Sequence, residues 1–303
     1  MTTRFQHGVS AATVGLSTIP TSPFATTYYV STAGNDSNVG TGPSTAFLTI
    51  AAAIAATTAN KGDTIIIAPG TYTEAVLVPK AFTIFRAGIQ TYRKPSVIIT
   101  SNIATMVDVE VNGVQFHDIE FLAGGDTTDQ LINVADTAAV DGLVFNRCVF
   151  NGADKVTVVG IKNSDATFAG TRITVTDCLF RDLTGTCIAI GVLGFAYSYI
   201  GYNQFAIDVD SGTAISLADT TSFAIGKGYV IELNDFTGFD ATANEVGITI
   251  AGTENATGAG IIRNNYFSYL AAAAITIDKL SLSEINNYYG DAATGGTLVD
   301  PGT

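Results

Sequence analysis

A six-residue pattern recurs along the chain and constrains its fold more than any other feature. It reads apolar, any residue, polar, an Asn or Cys (Ile in the first copy), any residue, Phe, and its copies begin at Phe116, Phe145, Val175, Ile200, Ile231 and Ile262. The copies follow one another at intervals of 25 to 31 residues. A repeat of this length predicts a solenoid, because one repeat can bury its apolar side only by stacking on the next.

Short alternating segments between the copies predict further strands with one buried side. After the six copies they lie at 131–134, 156–159, 187–190, 214–217, 247–250 and 274–277. Upstream, the segments 64–68, 75–78, 82–85, 97–100 and 106–111 predict the first coils. Each repeat is therefore expected to hold two or three short strands joined by turns.

Stacking of the repeats predicts two columns of side chains inside the coils. The closing residues should lie above one another at ~4.8 Å per coil; they are Phe121, Phe150, Phe180, Phe205, Phe236 and Phe267. Two positions earlier, a structural ladder is expected at Cys148, Cys178, Asn203, Asn234 and Asn265. An inward Asn can hydrogen-bond the next Asn and the turn backbone, whereas the two cysteines are expected to be buried thiols.

The segment 44–60 before the first coil predicts an α-helix. Pro43 and Ser44 stand at its start, the apolar residues Phe47, Ile50 and Ile54 share one face, and a glycine follows its end. Because a solenoid has an open edge at each end, this helix is expected to cap the first coil. The predicted organisation is an extended N-terminal arm, an N-terminal segment with the capping helix, the coils and a C-terminal tail, at 1–27, 28–63, 64–290 and 291–303.

Composition excludes several classes of function. Hydrophobic residues make up 47% of the 303 residues and charged ones 14%, which favours a large core over disorder. The formal charge of −13 disfavours nucleic acid and anionic membrane as partners. No apolar run is as long as a membrane span and no signal peptide is expected. The three cysteines are widely spaced, so we expect no disulfide framework, metal site or cofactor.

The N-terminal third of the chain resembles a known superfamily. The segment 28–42 (YYVSTAGNDSNVGTG), then 62–65 (GDTI) and 69–72 (PGTY) with Glu74, resemble the start of pectin lyase-like right-handed β-helix proteins. With the repeats, the resemblance covers residues 28–290 and implies an all-β, right-handed parallel β-helix. This scaffold carries lyases, hydrolases, tailspikes and inert structural proteins, so function must be inferred from the site.

The first 27 residues lie outside that resemblance. Their start, MTTRFQHGVS, resembles the N-terminal arms of bacteriophage virion proteins. An arm of this composition should not be ordered by itself, so we expect partners to hold it, with Arg4 and Phe5 as assembly contacts. The resemblance implies a virion location, in capsid or tail, a homotrimer, and a major capsid or tail protein as partner.

Candidate chemistry is expected on the outward side of the coils, because sugar-cleaving β-helices cluster carboxylates there. The Asp-Asp and Gly-His-Gly pattern of polygalacturonases and the Arg-x-Pro-x-x-Arg of pectate lyases are absent. An outward column is predicted at His117, Asn146, Thr176, Gly201, Glu232 and Arg263. Beside it, Asp118, Arg147, Asp177 and Arg181 are expected to form a charged patch, most simply an ion-pair ladder, and His117 is expected to be a surface histidine.

Exposed tyrosines form a second candidate surface. Alternation predicts that Tyr197 and Tyr199 point outward, and with Tyr202, Tyr266 and Tyr269 they would form a sugar platform or a subunit interface. We favour the interface and predict Tyr197 and Tyr199 as assembly contacts. The Asp- and Asn-bearing loops 34–42 and 124–129 are interpreted as turns rather than calcium sites.

Two hypotheses about function remain. The first is a non-enzymatic bacteriophage virion structural protein, a capsid decoration (cement) or tail-associated β-helix anchored by its N-terminal arm. The alternative is a tailspike-like depolymerase that cleaves host surface polysaccharide, with Asp118, Asp177 and Glu232 as its catalytic residues.

Overall fold

The computed structural model describes residues 24–88, 95–126, 128–134, 139–155, 158–163, 170–191, 197–207, 212–218, 228–238, 245–251, 260–268, 270, 275–277 and 282–289. Their strands form three long sheets in which every described pairing is parallel. From Thr64–Ile67 onward, neighbouring strands in each sheet are separated in the sequence by one strand from each of the other two sheets, apart from two short additional strands, Val140–Asp141 and Gly170–Thr171. The chain therefore winds as a right-handed parallel β-helix, which confirms the predicted fold.

The first sheet has ten described strands. In spatial order they are Thr27–Val30, Thr64–Ile67, Ile84–Ala87, Gln115–His117, Val144–Asn146, Thr174–Thr176, Tyr199–Gly201, Tyr229–Glu232, Gly260–Arg263 and Leu282–Ile285. The hexapeptide pattern begins in this sheet and ends in the second, so the turn between these two sheets carries the residues that recur most regularly.

The second sheet has nine described strands and the third has eight. Those of the second are Gly70–Thr73, Val97–Ser101, Ile119–Ala123, Val149–Lys155, Leu179–Leu183, Gln204–Ile207, Asp235–Gly238, Tyr266–Ser268 and Tyr288–Tyr289. Those of the third are Val76–Val78, Thr105–Val109, Gln130–Val134, Val159–Asn163, Ile188–Gly191, Thr213–Ala218, Val246–Ala251 and Ile275–Ile277. Val140–Asp141 pairs with Gly170–Thr171 in a separate two-stranded ribbon.

Two predicted strands are shifted in the structure. The strand predicted at 82–85 begins at Ile84, because Phe82 has a φ of 61° and belongs to the preceding turn. The strand predicted at 156–159 is Val159–Asn163 in the structure; Val158 lies outside it, and its N–H donates to the Thr184 hydroxyl.

The predicted phenylalanine column is present and buried. Its rings stack from Phe121 to Phe267 with centroid distances between 4.5 and 5.4 Å. A second stack in the first sheet, Phe85–Phe116–Phe145, meets it edge to face. Burial of each ring contributes roughly 1.5–3 kcal/mol before entropy, so these columns form the centre of the core.

A column of residues in the left-handed backbone region forms the turn between the first and second sheets. We call it the left-handed column; its φ angles lie between 52° and 65° at Asp118, Arg147, Asp177, Tyr202, Leu233, Asn264 and Asn286. In the first five of these, the N–H donates to a carbonyl of the next coil at 3.0–3.3 Å. Their side chains therefore project from the corner at which the two sheets meet.

The residue after each of these turns points inward and forms the ladder. The N–H of Asn203 donates to Oδ1 of Asn234, and the N–H of Asn234 to Oδ1 of Asn265, each at 3.0 Å. The thiols occupy the same places: the N–H of Cys148 donates to Sγ of Cys178 at 3.4 Å. All three cysteines are buried, and none of them forms a disulfide. The ladder continues beyond its predicted end, since the N–H of Asn265 donates to Oδ1 of Asn287.

The N-terminal helix is shorter than predicted. In place of one helix at 44–60, the structure has a 3-10 turn at Pro43–Thr45 and an α-helix, α1, at Ile50–Ala56. Carboxylates that lie far away in the sequence fix its start: Asp36 accepts the N–H groups of Leu48 and Thr49, and Glu74 that of Ile50. Ile50 and Ile54 are buried in the core beside the first coil.

Candidate functional site on the outward face of the first sheet

Polar side chains line one outward column of the first sheet. Strand pairing places Arg86, His117, Asn146, Thr176, Gly201, Glu232 and Arg263 in register on successive coils. The predicted column is therefore present from His117 onward. Arg86 was missed, because its strand (IFRA) precedes the first copy of the hexapeptide pattern.

An ion pair forms beside this column, between neighbouring members of the left-handed column. Nε of Arg147 donates to Oδ1 of Asp118 at 2.6 Å, and Nη2 donates to Oδ2 at 2.9 Å. The carboxylate is buried, and its hydrogen bond is the main reason why the pKa of Arg147 is raised. Both carboxylate oxygens are thus engaged by one guanidinium, the strongest geometry for such a pair.

His117 is buried, so the expectation of a surface histidine is wrong. Its Nε2 lies 3.2 Å from Oε1 of Gln115, and Arg86 and Asn146 are its partners in register on either side. Burial, and next the charges of Arg86 and Arg147, lower the pKa of His117 to about 4. The imidazole is therefore neutral at neutral pH and adds hydrogen-bonding capacity, not charge, to the face.

Arg86 is a half-buried cation without an ion pair among the described residues. Its Nε is buried and has no hydrogen-bond partner in that part of the chain. Burial lowers the pKa of this guanidinium, Asp118 raises it and Arg147 lowers it again. Because a guanidinium stays charged in proteins, Arg86 presents a positive charge whose partial desolvation is not offset by a paired carboxylate of its own.

The next coil supplies polar groups and one further carboxylate. Nδ2 of Asn146 donates to Oγ1 of Thr176 at 2.8 Å and lies 3.4 Å from Oδ2 of Asp177. Arg181 does not join this cluster: it lies in the second sheet, where Nη2 donates to Glu120 at 3.2 Å. The expected four-residue charged patch is therefore reduced to Asp118, Arg147 and Asp177, with Arg86 added.

A second cluster lies farther along the same face. The Tyr199 hydroxyl donates to Oε1 of Glu232 at 2.9 Å, and Nε of Arg263 donates to Oε2 at 2.5 Å. The tyrosine ring crosses Gly201, where a Cβ would lie 2.4 Å from the hydroxyl oxygen. Burial, followed by the contact with Glu232, raises the pKa of Tyr199. Glu232 is thus held by two donors.

The three residues of the predicted catalytic set do not converge on one point. Asp118 is held by Arg147, and Glu232 is held by Tyr199 and Arg263. Asp177 lies two coils from Asp118, roughly 10 Å between their Cα atoms at the spacing of parallel strands. The arrangement offers fixed charges and hydrogen-bond donors along the face, which is suited to holding a polar chain.

The remaining predicted residues are dispersed. Tyr197 is 65% exposed and precedes the strand Tyr199–Gly201, so it lies at the edge of the first sheet opposite the left-handed column, which follows these strands. Arg4, Phe5 and Tyr269 lie outside the described residues. No group of three His, Cys, Asp or Glu side chains that could hold a metal occurs in the described part of the chain. None of the helices formed by the described residues is long and apolar enough to cross a membrane.

Comparison by sequence finds no relative. No protein-family model matches the chain, and no curated protein sequence matches it.

Comparison by structure does find similar proteins. A mutant pectin methylesterase in complex with a hexasaccharide has a TM-score of 0.61 and 16% identity, over 91% of this chain and 92% of its own. Pectin methylesterase PemA from Erwinia chrysanthemi has a TM-score of 0.59 and 15% identity, over 89% and 92%.

A mannuronic acid-specific polysaccharide family 6 lyase from the human gut microbiota has a TM-score of 0.52 and 14% identity, over 75% of this chain and 54% of its own. At these identities the similarity concerns the fold alone. The chain has the right-handed parallel β-helix fold of these enzymes.

Proposed function

We propose that the chain binds an acidic polysaccharide along the outward face of the first sheet. The observation that carries this proposal is Arg86, a half-buried guanidinium with an unpaired Nε and no ion pair in the described residues. An anionic group of a ligand would offset the cost of burying this charge. Arg147 lies close enough to lower the pKa of Arg86, so both cations face the same region.

The neighbouring groups suit a chain of sugar units. Neutral His117 and the amides of Gln115 and Asn146 offer hydrogen bonds to hydroxyls without adding charge. Coils repeat at ~4.8 Å, which is close to the length of one sugar in an extended chain. Two of the similar structures are pectin methylesterases in complex with hexasaccharides, and a third is a mannuronic acid-specific lyase, which is consistent with this class of ligand.

The test is calorimetric titration of the full chain with oligogalacturonate and oligomannuronate, with a neutral maltohexaose as reference. We expect at least one acidic oligosaccharide to bind, with an affinity that falls as salt is raised. Arg86→Ala should weaken it at least tenfold, while Arg181→Ala, on the second sheet, should leave it unchanged. Equal binding of acidic and neutral ligands, or an unchanged affinity of Arg86→Ala, would refute the proposal.

Cleavage of the bound chain is the alternative within this function. Asp118 and Glu232 are each paired with an arginine, and we take Asp177, which accepts from Nδ2 of Asn146 at 3.4 Å, as the candidate carboxylate. A depolymerase would lower the viscosity of host glycan and release reducing or unsaturated ends. If it acts through this face, Asp177→Asn should abolish that activity with the fold intact; product formation by the variant would exclude Asp177.

A virion location remains a prediction from the N-terminal segment, and it is compatible with glycan binding. Exposed Tyr197 is available for contacts between subunits, and the arm lies largely outside the described residues. The measurement is copy number in purified particles: hundreds of copies indicate a capsid role and a handful indicate the tail. Absence from particles would refute the virion hypothesis and leave the glycan proposal standing.

A further inference from the structure

Four exposed apolar side chains follow the corner between the first and second sheets. They form an apolar strip of Tyr202, Leu233, Tyr266 and Tyr288, which are 51%, 40%, 46% and 62% exposed. Tyr202 and Leu233 are neighbours in the left-handed column, and Tyr266 and Tyr288 are partners in register. The strip therefore crosses four successive coils, about 14 Å at the spacing of parallel strands.

The first two of these residues are unfavourable where they stand. Tyr202 and Leu233 have φ angles of 61° and 57°, a region that costs a bulky side chain ~1–2 kcal/mol. The same column holds Asn264 and Asn286 on the following coils, and asparagine tolerates this conformation well. A folded chain gains nothing from strained, exposed apolar groups, and such features commonly mark binding sites.

The area of the strip distinguishes between two possible ligands, a second copy of the chain and a slender polymer. An aromatic side chain presents ~200 Å², so four half-exposed groups offer roughly 400 Å², which is within the range of functional patches on monomers. A stable protein–protein interface needs ~800 Å² per partner. The strip alone is therefore too small to form a stable interface with a second copy of the chain, but it is large enough for several units of a slender ligand.

The chemistry of the strip points to uncharged sugars. Tyrosine ring faces attract the polarised C–H groups of a sugar, and the side-chain amides of Gln204, Asn264 and Asn286 on the same coils match hydroxyls as donors and acceptors. Over these coils, the left-handed column and the first outward position of the second sheet hold one charged side chain, Asp235. Asp235 and the net charge of −13 disfavour an anionic ligand, since the adjacent charges of Glu232 and Arg263 form an ion pair with each other.

We propose that the apolar strip binds an uncharged polysaccharide, with sugars of one chain stacked on Tyr202, Tyr266 and Tyr288. The site is separate from Arg86 and its neighbours on the face of the first sheet, and the proposal does not depend on an acidic ligand there. Leu233 belongs to the coil between those of Tyr202 and Tyr266, so the chain of sugars would follow the corner along the axis of the coils.

The test uses the full chain and a double variant, Tyr202→Asn with Leu233→Asn. The probes are maltohexaose, cellohexaose and mannohexaose, and the readout is the intrinsic tyrosine fluorescence, which is accessible because the chain has no Trp. We expect at least one probe to bind the unmodified chain and to bind the double variant at least tenfold more weakly. The variant should unfold at the same or a higher urea concentration, because asparagine relieves the backbone strain.

Tyr197→Asn is the matched control. Tyr197 also has a positive φ and is more exposed than Tyr202, but it lies at the opposite edge of the first sheet, before the strand Tyr199–Gly201. Its replacement should therefore leave binding unchanged. The proposal fails if none of the three probes binds, or if the double variant binds as tightly as the unmodified chain. It also fails if sedimentation shows self-association that the double variant abolishes, because the occupant is then a second copy.

Discussion

Asn234 lies in the middle of the ladder, and its replacement by alanine tests what the ladder contributes. Oδ1 of Asn234 accepts the N–H and the side-chain amide of Asn203, each at 3.0 Å. Nδ2 donates to the carbonyl of Ile200 at 3.1 Å and to Oδ1 of Asn265 at 3.0 Å. The side chain is buried, so Asn234→Ala removes four hydrogen bonds from a site without access to bulk solvent.

The magnitude follows from the groups that lose a partner. The N–H of Asn203 and the carbonyl of Ile200 lose these partners, and Nδ2 of Asn203 keeps only its bond to the carbonyl of Val175. Oδ1 of Asn265 keeps the N–H of Asn234. Each unsatisfied buried group costs about 1–3 kcal/mol. We expect a loss of about 3–5 kcal/mol in the free energy of unfolding, since a water molecule in the vacated space can satisfy part of the deficit.

The chain itself supplies the control, because cysteine fills the same column two and three coils earlier. There the Cys178 thiol accepts the N–H of Cys148 at 3.4 Å, and the Cys148 thiol donates to the carbonyl of Phe116 at 3.5 Å. Asn234→Cys should keep weaker versions of two bonds and cost about 1–2 kcal/mol. Urea unfolding followed by circular dichroism measures both variants. Equal costs for alanine and cysteine, or a cost below about 1 kcal/mol for alanine, would refute this account of the ladder.

Three further changes test the electrostatics. The pKa of His117 is about 4, below its ordinary value of 6.5. The contribution of neutral His117 to the free energy of unfolding should therefore be fully present above pH 6.5 and decrease by up to roughly 3 kcal/mol as the pH falls from 6.5 to 4. His117→Gln should flatten this part of a stability–pH curve. Arg147→Ala removes the arginine from buried Asp118 and should cost about 3–5 kcal/mol in urea unfolding, with partial recovery on adding Asp118→Asn. Burial raises the pKa of Asp36, but hydrogen bonds from Thr49 and Leu48 outweigh this effect, so the pKa is lowered. The contribution of Asp36 to stability should therefore be lost as the pH falls through its folded-state pKa. Thermal melting curves of Asp36→Asn should show a smaller loss of stability over the same pH range.

Periodicity predicted the coils because each repeat uses the same residue types for the same purpose. An inward Phe and an inward Asn must recur whenever coils stack, so the sequence itself contains the columns of Phe121 and Asn203. The length of α1 was not predictable in this way. Its start depends on Asp36 and Glu74, 12 to 24 residues from the N–H groups that they accept.

The site was less predictable, because it depends on contacts between coils at positions that the repeated pattern leaves variable. The burial of His117 follows from Arg86 and Asn146 on the neighbouring strands, about 30 residues away in each direction. Arg181 was assigned to the wrong cluster for the same reason, since its partner Glu120 lies two coils away in the second sheet. The alternation of apolar and polar residues along a strand shows which face of the sheet a side chain lies on, but not which side chain of a neighbouring coil it contacts.

The left-handed column links the core to both proposed binding surfaces. Each of its residues precedes an inward ladder position, so the hydrogen bonds of the ladder fix the backbone from which Asp118, Arg147 or Tyr202 projects. Asparagine and aspartate suit this conformation without strain, whereas Arg147, Tyr202 and Leu233 are held in it by the stacked coils. Exchange of a side chain in this column changes what the corner binds and leaves the inward residues untouched. We therefore expect substitutions here to alter ligand preference more than the unfolding midpoint, with Arg147 as the exception because it holds the buried carboxylate of Asp118.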